Sequence, residues 1–266
     1  MLRIQDVLDW LKPVRAINPT VDGLVIGRPE VEVGGIAVTF MATQAAMEQA
    51  ASRRANLLIS HEGLFYSHRS DGSQLKEDPV VQLKLRRLEE LGLAVIRYHD
   101  GIHRETPDGI TAGLIEELGW QEAVCEYHPA SAVLELPAMT LEELARMVKR
   151  KLNLPFVRFT GDPAMRCRKV GVLVGYRGGG DLAIPLLGEV DLIIAGEGPE
   201  WEAPEYVRDA VYQGKEKAMI LLGHGPSEAP GMKRLARKLR AAFPSLPVHV
   251  IENEPLFHWI GQGEKP

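Results

Sequence analysis

The 266-residue chain has only two cysteines, no excess of basic residues and no long apolar segment. Cys125 and Cys167 are too few for a disulfide framework or a cysteine-rich zinc module, so we expect a reducing, cytoplasmic setting. Lys and Arg total 31 against 36 Asp and Glu, giving a net charge of −5. Dedicated nucleic-acid binding is therefore not expected, because neutralising phosphates requires a basic excess.

No membrane association is predicted either. The longest apolar runs, such as Ala218–Leu222, are far shorter than the roughly 20 residues that a spanning helix needs. The first residues have helical spacing but lack the basic head, apolar block and cleavage site of a signal peptide.

Short apolar strands alternate with helical segments along the chain. The patterns predict strands at 34–40, 56–60, 93–98, 133–136, 157–160, 170–174, 191–195, 218–222 and 248–251. They predict helices at 44–54, 79–91, 107–118, 140–151, 203–213 and 230–242, with a further short helix after the glycine loop 178–180. This order indicates an α/β fold with helices packed on mixed or mostly parallel sheets. We predict two α/β domains by chain order, 1–128 and 129–266, with an approximate border that allows the halves to intertwine.

Three groups of histidine and carboxylate side chains each follow an apolar strand. They are His61 with Glu62, His99 and Asp100 with His103, and His224 with Glu228. In sheets of this kind the ligand site lies beyond the carboxyl ends of the strands. Imidazole and carboxylate together suit Zn, Fe, Mn, Co or Ni, and a pair of such ions can activate a bridging water.

His224 and Glu228 have the i, i+4 spacing that places two side chains on one helix face. Pro226 and Pro230 interrupt the segment, however, and proline suits the first turn of a helix. The sequence therefore predicts that the last helix begins near Pro230 and that Glu228 projects from the preceding loop.

Three segments resemble blocks of one known family. His61-Glu-Gly-Leu-Phe65 is similar to the His-His-Gly/Pro-x-Phe signature of the NIF-three-like family, the GTP cyclohydrolase I type 2 homologues. Gly196-Glu197 resembles that family's Thr-Gly-Glu segment. Residues 223–235 resemble its Gly-His-x-x-x-Glu-x-x-Gly-x-x-x-Leu block. The order and spacing of the blocks match from about residue 5 to about residue 260.

The resemblance implies a NIF-three-like fold of two α/β domains around a dinuclear metal site, and assembly into a ring-shaped hexamer. It assigns metal ligation to His61, His224 and Glu228, which match the family pattern. Two positions depart from it, because the second histidine of the pair is Glu62 and the expected aspartate falls on His103. The exchanges compensate, since three histidines and two carboxylates remain, and we expect the bridging carboxylate to move to Glu62. Asp100 is the alternative ligand in the middle block, and whether His99 joins the site stays open.

These features predict a metal-binding protein that acts as a metal-dependent hydrolase resembling GTP cyclohydrolase I type 2. Two divalent ions (Zn, Fe or Mn) would be held by the five residues named above, with Glu62 and Glu228 as the catalytic carboxylates. The expected substrate is a small molecule. The family resemblance implies a purine nucleotide whose ring is opened by hydrolysis. A metal-dependent phosphoesterase acting on nucleotides and a non-enzymatic metal-binding or regulatory protein are the alternatives.

The other histidines and the glycine-rich loop are weaker candidates for a functional role. Four histidines lack carboxylates at strand ends, and we expect packing or surface positions for them: His68, His128, His249 and His258. The glycines at 178–180 precede a helix and could present backbone N–H groups to a phosphate, with Arg177 assisting, but the loop lacks the Gly-Lys-Ser/Thr ending of a P-loop.

Overall fold

In the computed structural model, which describes residues 1–13, 17–69 and 73–260, helices and strands alternate along the chain. The helices are α1 (Ile4–Leu11), α2 (Gln44–Ser52), α3 (Pro79–Glu90), α4 (Asp100–His103), α5 (Gly109–Leu118), α6 (Leu141–Lys151), α7 (Gly180–Leu187), α8 (Ala203–Tyr212) and α9 (His224–Ala242). The strands are β1 (Gly23–Ile26), β2 (Ile36–Thr39), β3 (Leu57–Ser60), β4 (Ala94–Arg97), β5 (Val124–Tyr127), β6 (Ala132–Thr140), β7 (Arg158–Thr160), β8 (Arg166–Leu173), β9 (Leu192–Ala195), β10 (Ala218–Leu221) and β11 (Val248–Val250).

The strands form two mixed sheets, as the α/β prediction requires. The first has the order β1-β4-β3-β2-β11, in which all neighbours are parallel except the antiparallel pair β1–β4. The second has the order β5-β6-β8-β9-β10-β7, with a parallel centre of β8, β9 and β10 and antiparallel pairs outside it. Each central strand is buried on both faces because helices cover both sides of each sheet.

Alternating residues of the strands divide the apolar interior into three clusters. The largest cluster joins one face of each sheet to α1, α5, α6 and α9, so these helices lie between the sheets. The opposite face of the first sheet packs on α2 and α3, and that of the second sheet on α7 and α8. Leu57 and Ile59 face the largest cluster, whereas Leu58 between them faces the cluster that packs on α2 and α3.

The predicted division into residues 1–128 and 129–266 stays a prediction. Two strands bear on it: β5 precedes residue 128 and joins the second sheet, whereas β11 lies far beyond that residue and joins the first. Each of these two strands therefore belongs to the sheet of the other half of the chain. Within the described residues, no helix combines the length and hydrophobicity needed to cross a bilayer.

Capping side chains and a glycine define several helix ends, and the last helix begins earlier than predicted. Thr43, Asp108 and Thr140 accept hydrogen bonds from the first turns of α2, α5 and α6, and Gly119 ends α5 in a left-handed conformation. The prediction that the last helix begins near Pro230 is wrong, because α9 begins at His224. Pro226 lies in the first turn, where a backbone N–H has no partner within the helix, and α9 continues through Pro230.

Candidate metal centre

The parallel strands of both sheets end at one cleft, which has a volume of about 600 Å³. The residues that follow β3 and β4 approach it from the first sheet, and those that follow β8 and β10 approach it from the second. Its lining comprises Met41, Glu62, Gly63, Tyr66, Ser67, His68, His99, His103, Val174, Tyr176, Arg177, His224 and Glu228. The cleft thus lies where the general rule for α/β sheets places a ligand.

His61 is fully buried at the end of β3. Its Nδ1 lies 3.2 Å from the backbone oxygen of Tyr98, which can only accept, so Nδ1–H donates. The proton of a neutral imidazole is then on Nδ1, and Nε2 carries a lone pair. This Nε2 lies 3.1 Å from Oε2 of Glu228, which is also an acceptor.

Helix α9 brings His224 and Glu228 to the cleft, one helical turn apart. Nε2 of His224 lies 3.1 Å from Oε2 of Glu228 and 3.4 Å from Oε1 of Glu62, while its Nδ1 lies 2.8 Å from Oε1 of Glu197. Gly175, with φ of +60°, leaves room for this arrangement. A Cβ at that position would come within 2.1 Å of Oε1 of Glu228, so only glycine permits the close approach.

The turn after β4 supplies two further histidines. Nδ1 of His99 lies 3.0 Å from Oδ1 of Asp100, and its Nε2 faces Oε1 of Glu62 at 3.9 Å. Nδ1 of His103 lies 3.0 Å from Oδ2 of Asp108 and also 3.0 Å from Nη2 of Arg177, whose Nη1 donates to the same Oδ2 at 2.8 Å. Unlike His68, His103 thus has an oxygen acceptor within reach of its Nδ1–H. Nε2 of His103 lies 3.7 Å from Oε1 of Glu228.

The four histidines share one pattern. In each, Nδ1 lies near an oxygen acceptor, and Nε2 points towards Glu62 or Glu228: His61, His99, His103 and His224. Metal-binding histidines almost always donate their other ring N–H to a carboxylate or carbonyl, which sets the tautomer and the ring orientation. The arrangement therefore has the form of a histidine metal site together with its supporting hydrogen bonds.

The pKa shifts of His224 and Glu62 show that the carboxylates of the cleft stabilise positive charge there. Burial acts against the charged form of His224, yet Glu228, Glu62 and Glu197 together raise its pKa to about 11. Burial also acts to raise the pKa of Glu62, but the hydrogen bond of His224 and the surrounding histidines bring it down to about 2. His99 differs, because burial and its neighbours His61 and His103 lower its pKa to about 3, which leaves its ring neutral.

The donor atoms fit a divalent ion. Among the buried side-chain atoms of the described residues, three have no hydrogen bond of good geometry: Nε2 of His61, Oε2 of Glu228 and Oγ1 of Thr111. The nearest nitrogens to Oε2 of Glu228 are Nε2 of His61 and Nε2 of His224, both at 3.1 Å. Two acceptors 3.1 Å apart in a buried place repel each other unless a cation lies between them. Three groups of side chains have donor atoms that all lie within 4.8 Å of one another: His61, His99 and His103; His61, Glu62 and Glu228; and Glu62, His68 and His99. This nitrogen and carboxylate set suits Zn, Mn or Fe.

All five residues predicted as ligands therefore meet in one place, and His99 lies with them. Asp100, the alternative ligand, has both oxygens engaged. Oδ1 faces Nδ1 of His99, while Oδ2 accepts from Thr20 and Val21, so Asp100 orients His99 instead of facing the other donors.

Sequence reasoning missed several residues of the site. The placement of His68 in packing or on the surface is corrected in part: it is exposed, but it lines the cleft and its ring contacts His99 with a centroid distance of 4.7 Å. No strand end marks it, because the loop after β3 folds back to the site. Asp108 and Arg97 support His103 and Glu62 without any mark in the sequence. Glu197, which supports His224, belongs to the Gly196-Glu197 segment, but sequence reasoning assigned it no role in the site.

The glycine loop does not offer a free phosphate site. The N–H of Gly180 donates to Oε2 of Glu202 at 2.6 Å, and the N–H of Gly178 donates to the backbone oxygen of Glu197 at 3.0 Å. A carboxylate thus already occupies the start of α7. Arg177 instead lines the cleft and pairs with Asp108.

Comparison with known proteins gives a consistent result. Residues 4–255 match the sequence profile of the family Duf34/NIF3 (NGG1p interacting factor 3). The chain is 24% identical over 255 residues to a GTP cyclohydrolase 1 type 2 homolog of Clostridium acetobutylicum, covering 91% of each chain. It is 23% identical over 228 residues to a protein of the same name from Chlamydia trachomatis, covering 83% of this chain and 85% of that one.

Solved structures agree on the fold. The crystal structure of Staphylococcus aureus protein SA1388 superposes with a TM-score of 0.79 at 21% identity, covering 97% of this chain and 99% of that one. The family match spans nearly the whole chain, residues 4–255. This chain is therefore a member of the Duf34/NIF3 family.

Proposed function

We propose that this chain is a metal-dependent hydrolase whose centre holds two divalent ions. The observation that carries the proposal is that Nε2 of His61 and Nε2 of His224 both lie 3.1 Å from Oε2 of the buried Glu228, and that Nε2 of His61 and this oxygen form no hydrogen bond of good geometry. The proposed ligands are His61, Glu62, His103, His224 and Glu228, with His99 as a sixth.

Glu228 is the better candidate for the shared carboxylate. Its Oε1 faces His103, while its Oε2 faces both His61 and His224. Glu62 contacts only His224 and His99 among the histidines of the set, and at longer distances. The geometry thus favours Glu228 as the bridging carboxylate, whereas the sequence predicted Glu62.

A divalent ion in this position would supply a Lewis acid and lower the pKa of a nearby water. The two carboxylates then have different tasks. The side chain of Glu228 is 3% exposed and surrounded by imidazoles, so it holds the histidines in place. Glu62 lines the open cleft with 19% of its side chain exposed, so it is the carboxylate of the pair that a substrate and the attacking water would reach.

The names of the two bacterial relatives suggest the substrate class, a purine nucleotide opened by hydrolysis. The cleft suits a planar, polar molecule, because Tyr66, Tyr176 and Arg177 line it beside the histidines. A nucleotide phosphoesterase would use the same centre, and a turnover screen of nucleotides with Mn²⁺ or Fe²⁺ separates the two reactions. Stoichiometric binding without any turnover would instead favour a regulatory protein.

Elemental analysis of protein purified without chelator tests the proposal. We expect two metal ions per chain in the unmodified protein and loss of metal in Glu228→Ala and in Glu228→Gln, which retains the side-chain volume. Glu90→Ala, an exposed carboxylate on α3, is the control and should retain both ions. Metal-free unmodified protein that also fails to take up added Mn²⁺, Fe²⁺ or Zn²⁺ would refute the proposal.

The ring-shaped hexamer stays a prediction of the family resemblance. Sedimentation of the unmodified protein should give about six times the chain mass of 29.4 kDa. A monomer would show that this part of the resemblance does not extend to this chain.

A further inference from the structure

Arg97, the last residue of β4, lies against the candidate metal centre with its side chain 6% exposed. Its guanidinium donates to the loop that follows β3. Nη1 donates to the backbone oxygen of His68 at 2.6 Å, and Nε lies 3.4 Å from that of His61. Nη2 lies 3.2 Å from Oε2 of Glu62 and 3.1 Å from Nδ1 of His68.

As a result of these contacts, the two carboxylate oxygens of Glu62 have different partners. Oε2 accepts from Arg97 and lies 3.3 Å from the backbone N–H of Gly63. Oε1 alone faces the imidazoles, at 3.4 Å from His224 and 3.9 Å from His99. Arginine does not lose its proton in proteins, so Oε2 stays engaged whatever the ligand in the cleft.

The same guanidinium decides the role of His68. Arginine can only donate, so Nδ1 of His68 accepts, and a neutral His68 carries its proton on Nε2. In that form neither nitrogen offers a free lone pair. Although His68 lies near Glu62 and His99, it is not available as a ligand while Arg97 is in place.

We propose that Arg97 is the positioning residue of this centre, which limits Glu62 to one metal-facing oxygen and excludes His68 from the ligands. The inference rests on the proposed metal centre. The coordination number of the bound ion would then depend on Arg97, a side chain that does not contact the ion.

Titration with Co²⁺, followed by its visible absorption and by competition with a chelator, tests this role. We expect Arg97→Met to weaken Co²⁺ binding about 10- to 100-fold, the usual effect of removing a supporting partner. The absorption bands should also change, because Oε2 of Glu62 and His68 become free to coordinate.

A double-mutant cycle separates positioning from a general structural effect. If Arg97 acts through Glu62, adding Arg97→Met to Glu62→Gln should weaken binding much less than it does in the unmodified protein. Lys84→Met is the matched control, since Lys84 is buried and holds the same loop through the backbone oxygen of Leu64, without contacting Glu62. It should leave the affinity and the absorption bands unchanged.

The proposal fails if Arg97→Met weakens binding by the same factor in both backgrounds, or if Lys84→Met reproduces its effect. Circular dichroism monitors folding, and Arg97→Lys serves if the methionine variant does not fold. Lysine retains the charge but not the planar fork, so it should shift the absorption bands in the same direction. Failure of the unmodified protein to bind Co²⁺ or the other divalent ions would instead refute the metal centre itself.

Discussion

The carboxylate of Asp22 accepts the backbone N–H of Asp100, 78 residues further along the chain. Oδ1 of Asp22 accepts the N–H of Asp100 at 2.9 Å, and Oδ2 of Asp100 accepts the N–H of Val21 at 3.0 Å. Asp22 also accepts the N–H groups of His99 and Gly101, both at 2.7 Å. The short helix α4, which contains His103 and directly follows His99, is thereby clamped to the segment before β1.

Asp22→Asn should weaken both folding and metal binding. The amide retains the size of the side chain but loses the charge that strengthens three hydrogen bonds, so we expect a loss of about 1–2 kcal/mol in the free energy of unfolding. Metal affinity should fall about tenfold or more, because α4 positions His99 and His103. Urea unfolding and chelator competition measure the two effects.

Asp78→Asn is the control for this variant. Asp78 caps α3 with two backbone hydrogen bonds away from the cleft, and asparagine caps about as well as aspartate, so this substitution should change neither stability nor metal affinity appreciably. A metal affinity that is unchanged in Asp22→Asn would contradict the role assigned to the clamp.

Glu62→Gln and His103→Ala should each reduce the metal content of the purified protein. Glu62 loses its charge at Oε1, and alanine removes the nitrogen that faces Glu228. Elemental analysis of the two variants measures the effect, with His249→Ala as a control on β11. Full metal occupancy in both variants would show that the two departures from the family pattern do not supply ligands.

Lys84 should make stability depend on pH above neutrality. Burial lowers its pKa from about 10.5 to about 8. Between these values the unfolded chain binds a proton that the folded protein does not, so the free energy of unfolding should rise with pH. The rise attributable to Lys84 is at most about 3 kcal/mol and is complete near pH 10.5.

Urea unfolding of the unmodified protein and of Lys84→Met, measured at intervals from pH 7 to pH 10.5, isolates this contribution. The difference in stability between the two proteins should change across the interval. Parallel curves would show that Lys84 keeps an ordinary pKa in the folded protein.

Gly113→Ala should destabilise the protein through the contact between α5 and α9. A Cβ on Gly113 would come within 2.4 Å of Cα of Gly231, and backbone cannot move aside cheaply. Overpacking costs about 1–3 kcal/mol, which we expect to outweigh the gain of roughly 1 kcal/mol in helix propensity. Gly34→Ala, whose Cβ would meet only Oδ1 of Asn56 at 3.7 Å, is the control in thermal unfolding. Equal unfolding temperatures for the two variants would contradict the close approach.

Much of the fold could be predicted from local pattern. Apolar runs bounded by glycine, aspartate or threonine marked most strands and helix starts, because burial and capping act over a few residues. The start of α9 was misjudged because proline statistics favour a first-turn position for Pro230. Tertiary packing holds the helix through this proline, which is itself buried.

The residues proposed as ligands were visible in the sequence, because each follows an apolar strand and parallel strands end at a common edge. The supporting residues were not. Arg97 and Asp22 contact Glu62 and His99 from 35 and 77 residues away, and no local pattern marks such a distant contact.

The sequence by itself determined the α/β class, the strand ends that carry histidine and carboxylate, and the resemblance to one family. Only the tertiary structure decided how those ends meet: that Glu228 lies among three histidines, that His99 joins them, and that Arg97 holds Glu62 and His68. The physical reason is the range of the interactions. Backbone propensity and hydrophobic periodicity act between near neighbours in sequence, whereas charge and hydrogen bonding at the cleft depend on how two sheets pack around α5 and α9.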